Sequence, residues 1–135
     1  MFRVSREFHF CYGHRLMDYG GKCRHPHGHN GRVEVELAAA RLDKRGMVMD
    51  FEEIKKHLQS WVDGHLDHQM LLRRDDPLAP LLKKLGEPFY FFDENPTAEN
   101  IAKEIFGVAR KKGLPVTRVT LWETEKSFAT YSESA

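Results

Sequence analysis

The sequence predicts an α+β domain built as a four-stranded, mostly antiparallel sheet with two helices on one face, in the order ββααββ. Two observations carry that prediction: stretches of alternating apolar and polar residues lie at both ends of the chain, and two apolar stripes at helical spacing lie between them.

Phe2, Val4, Phe8 and Phe10 share one parity, which marks a strand over about residues 2–10 with one buried face. Met17 to Arg24, containing Gly20-Gly21, reads as a loop. Val33, Val35 and Leu37 then alternate with Arg32, Glu34 and Glu36, giving a second strand that runs to about Arg41. The two strands are expected to pair as an antiparallel hairpin with His14, His27 and His29 at its ends. Asp43 to Gly46 makes the following turn. Asp50 has the character of a helix N-cap, with Glu53 placed to complete a capping box, and Phe51, Ile54, Leu58, Trp61 and Val62 form the helix's core stripe. Residues 63–86 read as irregular, with a short helix around Leu78 to Leu85. Pro96-Thr97 opens a second amphipathic helix through Ile101, Ile105 and Ala109, which Gly113 and Pro115 end. Val116 to Leu121 and Phe128 to Tyr131 are the closing strands, joined near Thr124 to Ser127.

With 135 residues and 41% hydrophobic content, the chain is expected to form a single domain over residues 1–135 with a sizeable core. Its 21 basic and 20 acidic side chains leave a formal charge of +1, so nothing marks it for nucleic acid. The charged first ten residues and the absence of a run of about 20 apolar residues point to a soluble, unexported, cytoplasmic protein with no membrane partner. Two cysteines can form at most one disulfide, and free thiols are expected. A sheet with two open edges invites edge pairing, so a homo-oligomer is expected.

The most informative string is Cys23-Arg-His-Pro-His27-Gly-His29. Side chains at i and i+2 of an extended segment face the same way, so His27 and His29 can grip one ion together, with His14 as a third nitrogen from the neighbouring strand. Three imidazoles with the fourth position open suit a catalytic zinc site. The competing explanation is that these are ordinary surface or core histidines among the eight present, and His25 is a rival ligand in the same row.

Other residues can carry chemistry. Asp67-His68 can act as an orienting carboxylate and a base if the loop turns back on itself; a capping Asp beside a surface His, with His65 as the rival imidazole, is the plain alternative. Cys23 sits in a polar, glycine-flanked loop where a nearby zinc or imidazolium would favour its thiolate, whereas Cys11 reads as an inert cysteine buried at the strand end. Glu123 shares the parity of Val119 and Leu121, so its carboxylate lies on the apolar face and needs paired donors. These can be two parallel N–H groups of a ligand, or a local Lys or Arg. Glu125 sits in the turn and is less favoured.

The segments Phe8-His-Phe-Cys-Tyr-Gly-His14-Arg-Leu, Cys23-x3-His27-Gly-His29, Gly46-Met-Val-Met-Asp50-Phe, Leu66-Asp-His68, Pro96-Thr-Ala-Glu-Asn100 and Glu123-Thr124, in this order, resemble the family of 6-pyruvoyltetrahydropterin and 6-carboxytetrahydropterin synthases. That resemblance covers nearly the whole chain. It implies a tunnelling fold, zinc held by His14, His27 and His29, a catalytic set of Cys23, Asp67 and His68, and Glu123 binding the pterin substrate. It also implies a homo-oligomer, a hexamer made as a dimer of trimers, with active sites at subunit interfaces. The three-residue gap between Cys23 and His27 is similar to the carboxy-forming bacterial branch of queuosine biosynthesis, which turns 7,8-dihydroneopterin triphosphate into 6-carboxytetrahydropterin with release of triphosphate and acetaldehyde. The alternatives are the pyruvoyl-forming reaction and a zinc-dependent pterin-binding module without turnover. Lys22, Arg24 and Arg15 are the nearby cations for a triphosphate. The chain departs from the family pattern at Gly31, where an aromatic residue often follows His-Gly-His-Asn, and at Leu72, where Asn is frequent.

Overall fold

The computed structural model describes residues 1–134. Strands β1 (Phe2–His14) and β2 (His27–Ala39) form the predicted hairpin, each longer at its histidine end than the apolar alternation showed. They pair antiparallel, with Phe2 opposite Ala39 and His14 opposite His27. A one-turn 3₁₀ helix, Lys22–Arg24, sits in the connecting loop.

Asp50 caps α1 (Phe51–Ile54) by accepting the Glu52 amide at 2.9 Å. Glu53 does not complete a capping box; its amide bonds the Asp50 carbonyl. The helix widens into a π turn, Lys55–Gln59, and continues as α2 (Ser60–His65). Ile54, Leu58 and Val62 are buried as expected, but Phe51 is 48% exposed, in a surface cleft that it lines with Phe2 and Met47. Next come β3 (Gln69–Arg73), α3 (Leu78–Leu85), β4 (Phe89–Phe92) and α4 (Ala98–Lys111), then β5 (Val116–Trp122) and β6 (Phe128–Ser132). Thr97 caps α4 through the Asn100 amide.

The sheet has six strands, not four, in the order β4-β3-β1-β2-β5-β6. β3 and β4 are the additions, and they run parallel to β1 and to each other, which makes the sheet mixed. Both are short and lack alternation: Leu71 and Leu72 are both buried although they face opposite sides, and β4 is Phe-Tyr-Phe-Phe. Parallel strands also need long crossovers, so no turn signal joins them to their partners.

One connected core holds Phe8, Phe10, Val33, Val35, Val119 and Leu121 from the sheet, Ile54, Leu58 and Val62 from α1–α2, and Ile101, Ile105 and Phe106 from α4. Both long helical segments therefore press on the same strand parity, as the two stripes predicted. Among the described residues, no helix is long and apolar enough to cross a membrane.

Candidate metal centre

The inward parity of β1 runs Phe8, Phe10, Tyr12, His14, and that of β2 runs through His27 and His29, so the apolar files of the hairpin end in three imidazoles. One ligand atom from each of His14, His27 and His29 lies within 4.8 Å of the other two. Close approach of the strands is part of this: a Cβ on Gly28 would stand 3.0 Å from the Tyr12 carbonyl oxygen, a rigid backbone atom.

Hydrogen bonds fix how the rings present themselves. His14 Nδ1 lies 2.7 Å from the Pro96 carbonyl, and His27 Nδ1 lies 2.7 Å from the His25 carbonyl. A carbonyl only accepts, so both Nδ1 atoms carry the proton and both Nε2 atoms present lone pairs. Backbone carbonyls that orient imidazoles in this way are the usual outer shell of a bound metal. His14 is 3% exposed, and its Nε2 is buried without a hydrogen-bond partner. Burial first, then the neighbouring His27 and His29, push its imidazolium down to about 4, against the pull of the Pro96 carbonyl. A neutral, buried, unpartnered nitrogen is what a cation such as zinc would satisfy, so the donor set fits the ion.

Glu123 follows β5 on the inward parity, as expected, but the groups that face it are not lysine or arginine. Its Oε2 lies 3.1 Å from His29 Nε2, 3.4 Å from His14 Nε2 and 3.4 Å from the Tyr12 hydroxyl. The phenol of Tyr12 is raised well above its ordinary range, first by burial and then by this carboxylate, so it remains a proton donor.

Asp67 and His68 do turn back on themselves. His68 adopts φ +58, a left-handed conformation that costs a non-glycine residue energy. Two bonds hold it there: its amide donates to the Cys11 carbonyl at 2.6 Å, and its Nδ1 meets Asp67 Oδ2 at 2.8 Å. Asp67 Oδ1 accepts the Cys11 amide at 2.9 Å, so the dipeptide is clamped to β1 just before the histidine cluster. The rival His65 is stacked on Trp61 instead, with its Nδ1 on the Trp61 carbonyl.

A cleft of about 670 Å³ is lined by His27, His29 and His68 together with Cys11, Asn30 and Met70. A second cleft is lined by His29, Glu123, Trp122, Arg32 and Glu125, so His29 stands between the two. The larger cleft thus brings His27 and His29 of the trio together with His68.

Two sequence expectations need correction, those for Cys11 and Arg15. Cys11 is exposed rather than buried, because it has the opposite parity to Phe10 and Tyr12; its thiol donates to Asn30 Oδ1 at 2.9 Å. Cys23 lies where the sequence places it, half-buried in the 3₁₀ turn of the polar loop, with its carbonyl accepting the Leu16 amide. Arg15 is not free for a phosphate, because it forms a two-pronged ion pair with buried Asp76.

Sequence reasoning also passed over Tyr12 and the Asn95-Pro96 turn. Asn95 bonds both backbone groups of Met17, and Asn100 Nδ2 donates to the Asn95 carbonyl, which together set the Pro96 carbonyl against His14. The parity of Tyr12 with Phe10 and His14 was the available signal for its place.

The family model described as 6-pyruvoyl tetrahydropterin synthase matches residues 3–134. A Rickettsia typhi protein named 6-carboxy-5,6,7,8-tetrahydropterin synthase is 36% identical over 135 residues, covering 95% of this chain and 98% of that one. A Synechocystis protein of the same name is 38% identical over 136 residues, covering 97% and 93%. Among solved structures, an uncharacterized protein from Wolinella succinogenes superposes with a TM-score of 0.85 at 28% identity over 98% of each chain. The 6-pyruvoyl tetrahydropterin synthase of Caenorhabditis elegans superposes with a TM-score of 0.74, also at 28% identity, over 98% of this chain and 96% of that one. With residues 3–134 matched by its model, the chain belongs to the 6-pyruvoyl tetrahydropterin synthase family.

Proposed function

We propose that this chain is a zinc-dependent 6-carboxy-5,6,7,8-tetrahydropterin synthase of queuosine biosynthesis, a lyase that converts 7,8-dihydroneopterin triphosphate with release of triphosphate and acetaldehyde. The observation that carries the reading is the convergence of His14, His27 and His29 beside the clamped Asp67–His68 pair. The names of its relatives from Rickettsia and Synechocystis support the carboxy-forming branch, as does the short gap between Cys23 and His27.

His14, His27 and His29 would hold the zinc, which when bound supplies a Lewis acid for the substrate's side-chain oxygens. Asp67 keeps the His68 proton on Nδ1, leaving Nε2 to accept and return a proton at the cleft wall. Cys23 is assigned as the base that takes a side-chain proton, and Glu123 as the group that grips the paired N–H donors of the pterin ring. Active sites at the subunit interfaces of a cytoplasmic hexamer, built as a dimer of trimers, complete the reading; β4 and β6 are the free edges such an assembly would pair.

The pyruvoyl-forming reaction is the second reading, favoured by the name of the matching family model and of the worm structure. Incubating the zinc-loaded protein with 7,8-dihydroneopterin triphosphate and measuring product masses separates them. Acetaldehyde and a carboxypterin are expected. A product that keeps the three-carbon side chain would select the second reading, and a bound but unchanged pterin would reduce the chain to a binding module.

A further inference from the structure

We propose that Tyr12 is a positioning residue that holds the Glu123 carboxylate against the histidine cluster. Tyr12 lies on the inward file of β1 between Phe10 and His14 and is 3% exposed. A phenol brought that deep must find an acceptor for its O–H. The acceptor within reach is Glu123 Oε2, at 3.4 Å.

The ring's seat is closely fitted. It stacks on Phe10 at 5.0 Å and meets His14 edge-on at 5.2 Å and His29 at 5.7 Å. Across the ladder from Phe10 stands Gly31, where an added Cβ would lie 3.0 Å from Tyr12 Cε1 and 3.2 Å from Leu121 Cδ1. The phenol ring therefore crowds the space a side chain at position 31 would enter, and would have to shift to admit one. Gly31 and Tyr12 form one packing unit, with the ring supplied from β1 and its seat from β2.

Glu123 needs such a partner. It is the first residue beyond β5 and leads into the exposed turn at Thr124–Lys126, and its carboxylate hangs on three rotatable bonds. A lysine or arginine would fix it but would also neutralise it. A neutral hydroxyl orients one oxygen and leaves the negative charge for whatever the site binds. Tyr12 touches neither reacting atoms nor ion in this scheme; it acts through Glu123.

The inference rests on the reading of Glu123 as a working group of the site, and the test separates the two. Wild type, Tyr12→Phe, Glu123→Gln and the double variant are prepared with cobalt(II) in place of zinc, and both the visible spectrum and the steady-state constants for 7,8-dihydroneopterin triphosphate are recorded. Tyr12→Phe keeps the ring, so folding and metal stoichiometry should match wild type. KM should rise about tenfold with a smaller change in kcat, the size expected for one hydrogen bond to a charged group. In the Glu123→Gln background the same substitution should change KM less than about twofold, since the two groups act as one unit. Equal losses in both backgrounds, or no loss in either, would overturn the assignment. If the wild type does not turn over this substrate, the proposed function fails, and the spectra decide alone. A shift on Tyr12→Phe that vanishes beside Glu123→Gln upholds the coupling, and equal or absent shifts refute it.

Discussion

His14 and His27 face each other as the last pair of the β1–β2 ladder, with ring centroids 4.5 Å apart. A slip of one residue in this register would turn one of the two out of the cluster, because strand side chains alternate faces. The apolar files Phe8-Phe10-Tyr12 and Val33-Val35-Leu37 hold the register by being buried together, so the same packing that stabilises the sheet assembles the three imidazoles.

Removing one imidazole should therefore release the metal while leaving the hairpin intact. For His29→Ala, which is half-buried, elemental analysis of untagged protein is expected to find zinc well below stoichiometric, with a native-like far-UV spectrum. His14→Ala should lose zinc too and should also melt earlier, since it empties a buried site and frees the Pro96 carbonyl. Stoichiometric zinc in both variants would refute the three-histidine site.

Asp67 does two things at once: it accepts the Cys11 amide and sets the proton of His68. Asp67→Asn can keep the first and lose the second. Turnover should fall by about 10²–10⁴, the usual share of a positioned acid or base, with metal content unchanged. Loss of less than about threefold would remove the pair from the chemistry.

Cys23 lies in the loop that Leu16 and the 3₁₀ turn tie down, a few residues before His27. Cys23→Ala is expected to bind zinc normally and to lose turnover by orders of magnitude; a thiol that only packs in the loop would instead show wild-type kcat.

Glu123→Gln preserves the shape of the carboxylate and halves its acceptor capacity. Pterin affinity should weaken by roughly 10–100-fold, as for the loss of a charge-assisted hydrogen-bonded pair. Titration of the protein with the pterin alone checks this, and an unchanged dissociation constant would count against the anchor.

The hairpin, both amphipathic helices and the closing strands were legible because each writes its period into the chain over enough residues. β3 and β4 were not, because four or five residues of leucine or aromatic side chains show no period, and their parallel partners are distant in sequence. The histidine trio was legible as spacing. Tyr12 was hidden by looking like one more core aromatic, and the Pro96 carbonyl by being backbone, which no side-chain motif reports. Arg15 misled for a related reason: proximity to the loop suggested a phosphate ligand, while its partner Asp76 lies far along the chain.

That pair also gives the fold an expected response to acid. Asp76 is 2% exposed, and Arg15 meets it with Nε at 2.8 Å from Oδ2 and with a second N–H on Oδ1. Burial alone pushes the Asp76 carboxyl up, but the Arg15 hydrogen bonds and the Leu78 amide outweigh it and hold it below the usual carboxylate range. A lowered folded-state value means that the native chain resists protonation more than the unfolded chain does. The pair's contribution is thus complete above about pH 4, the ordinary Asp value, and disappears as pH falls through the lower native one. Asp76→Asn should cost roughly 3 kcal/mol at pH 7, the low end for a broken buried pair because Arg15 is partly in solvent. Urea unfolding between pH 7 and pH 3 is expected to show the wild-type advantage over Asp76→Asn holding down to about pH 4 and then shrinking. A gap that stays constant to pH 3 would show that the ionised carboxylate is not what joins the loop after β1 to the start of α3.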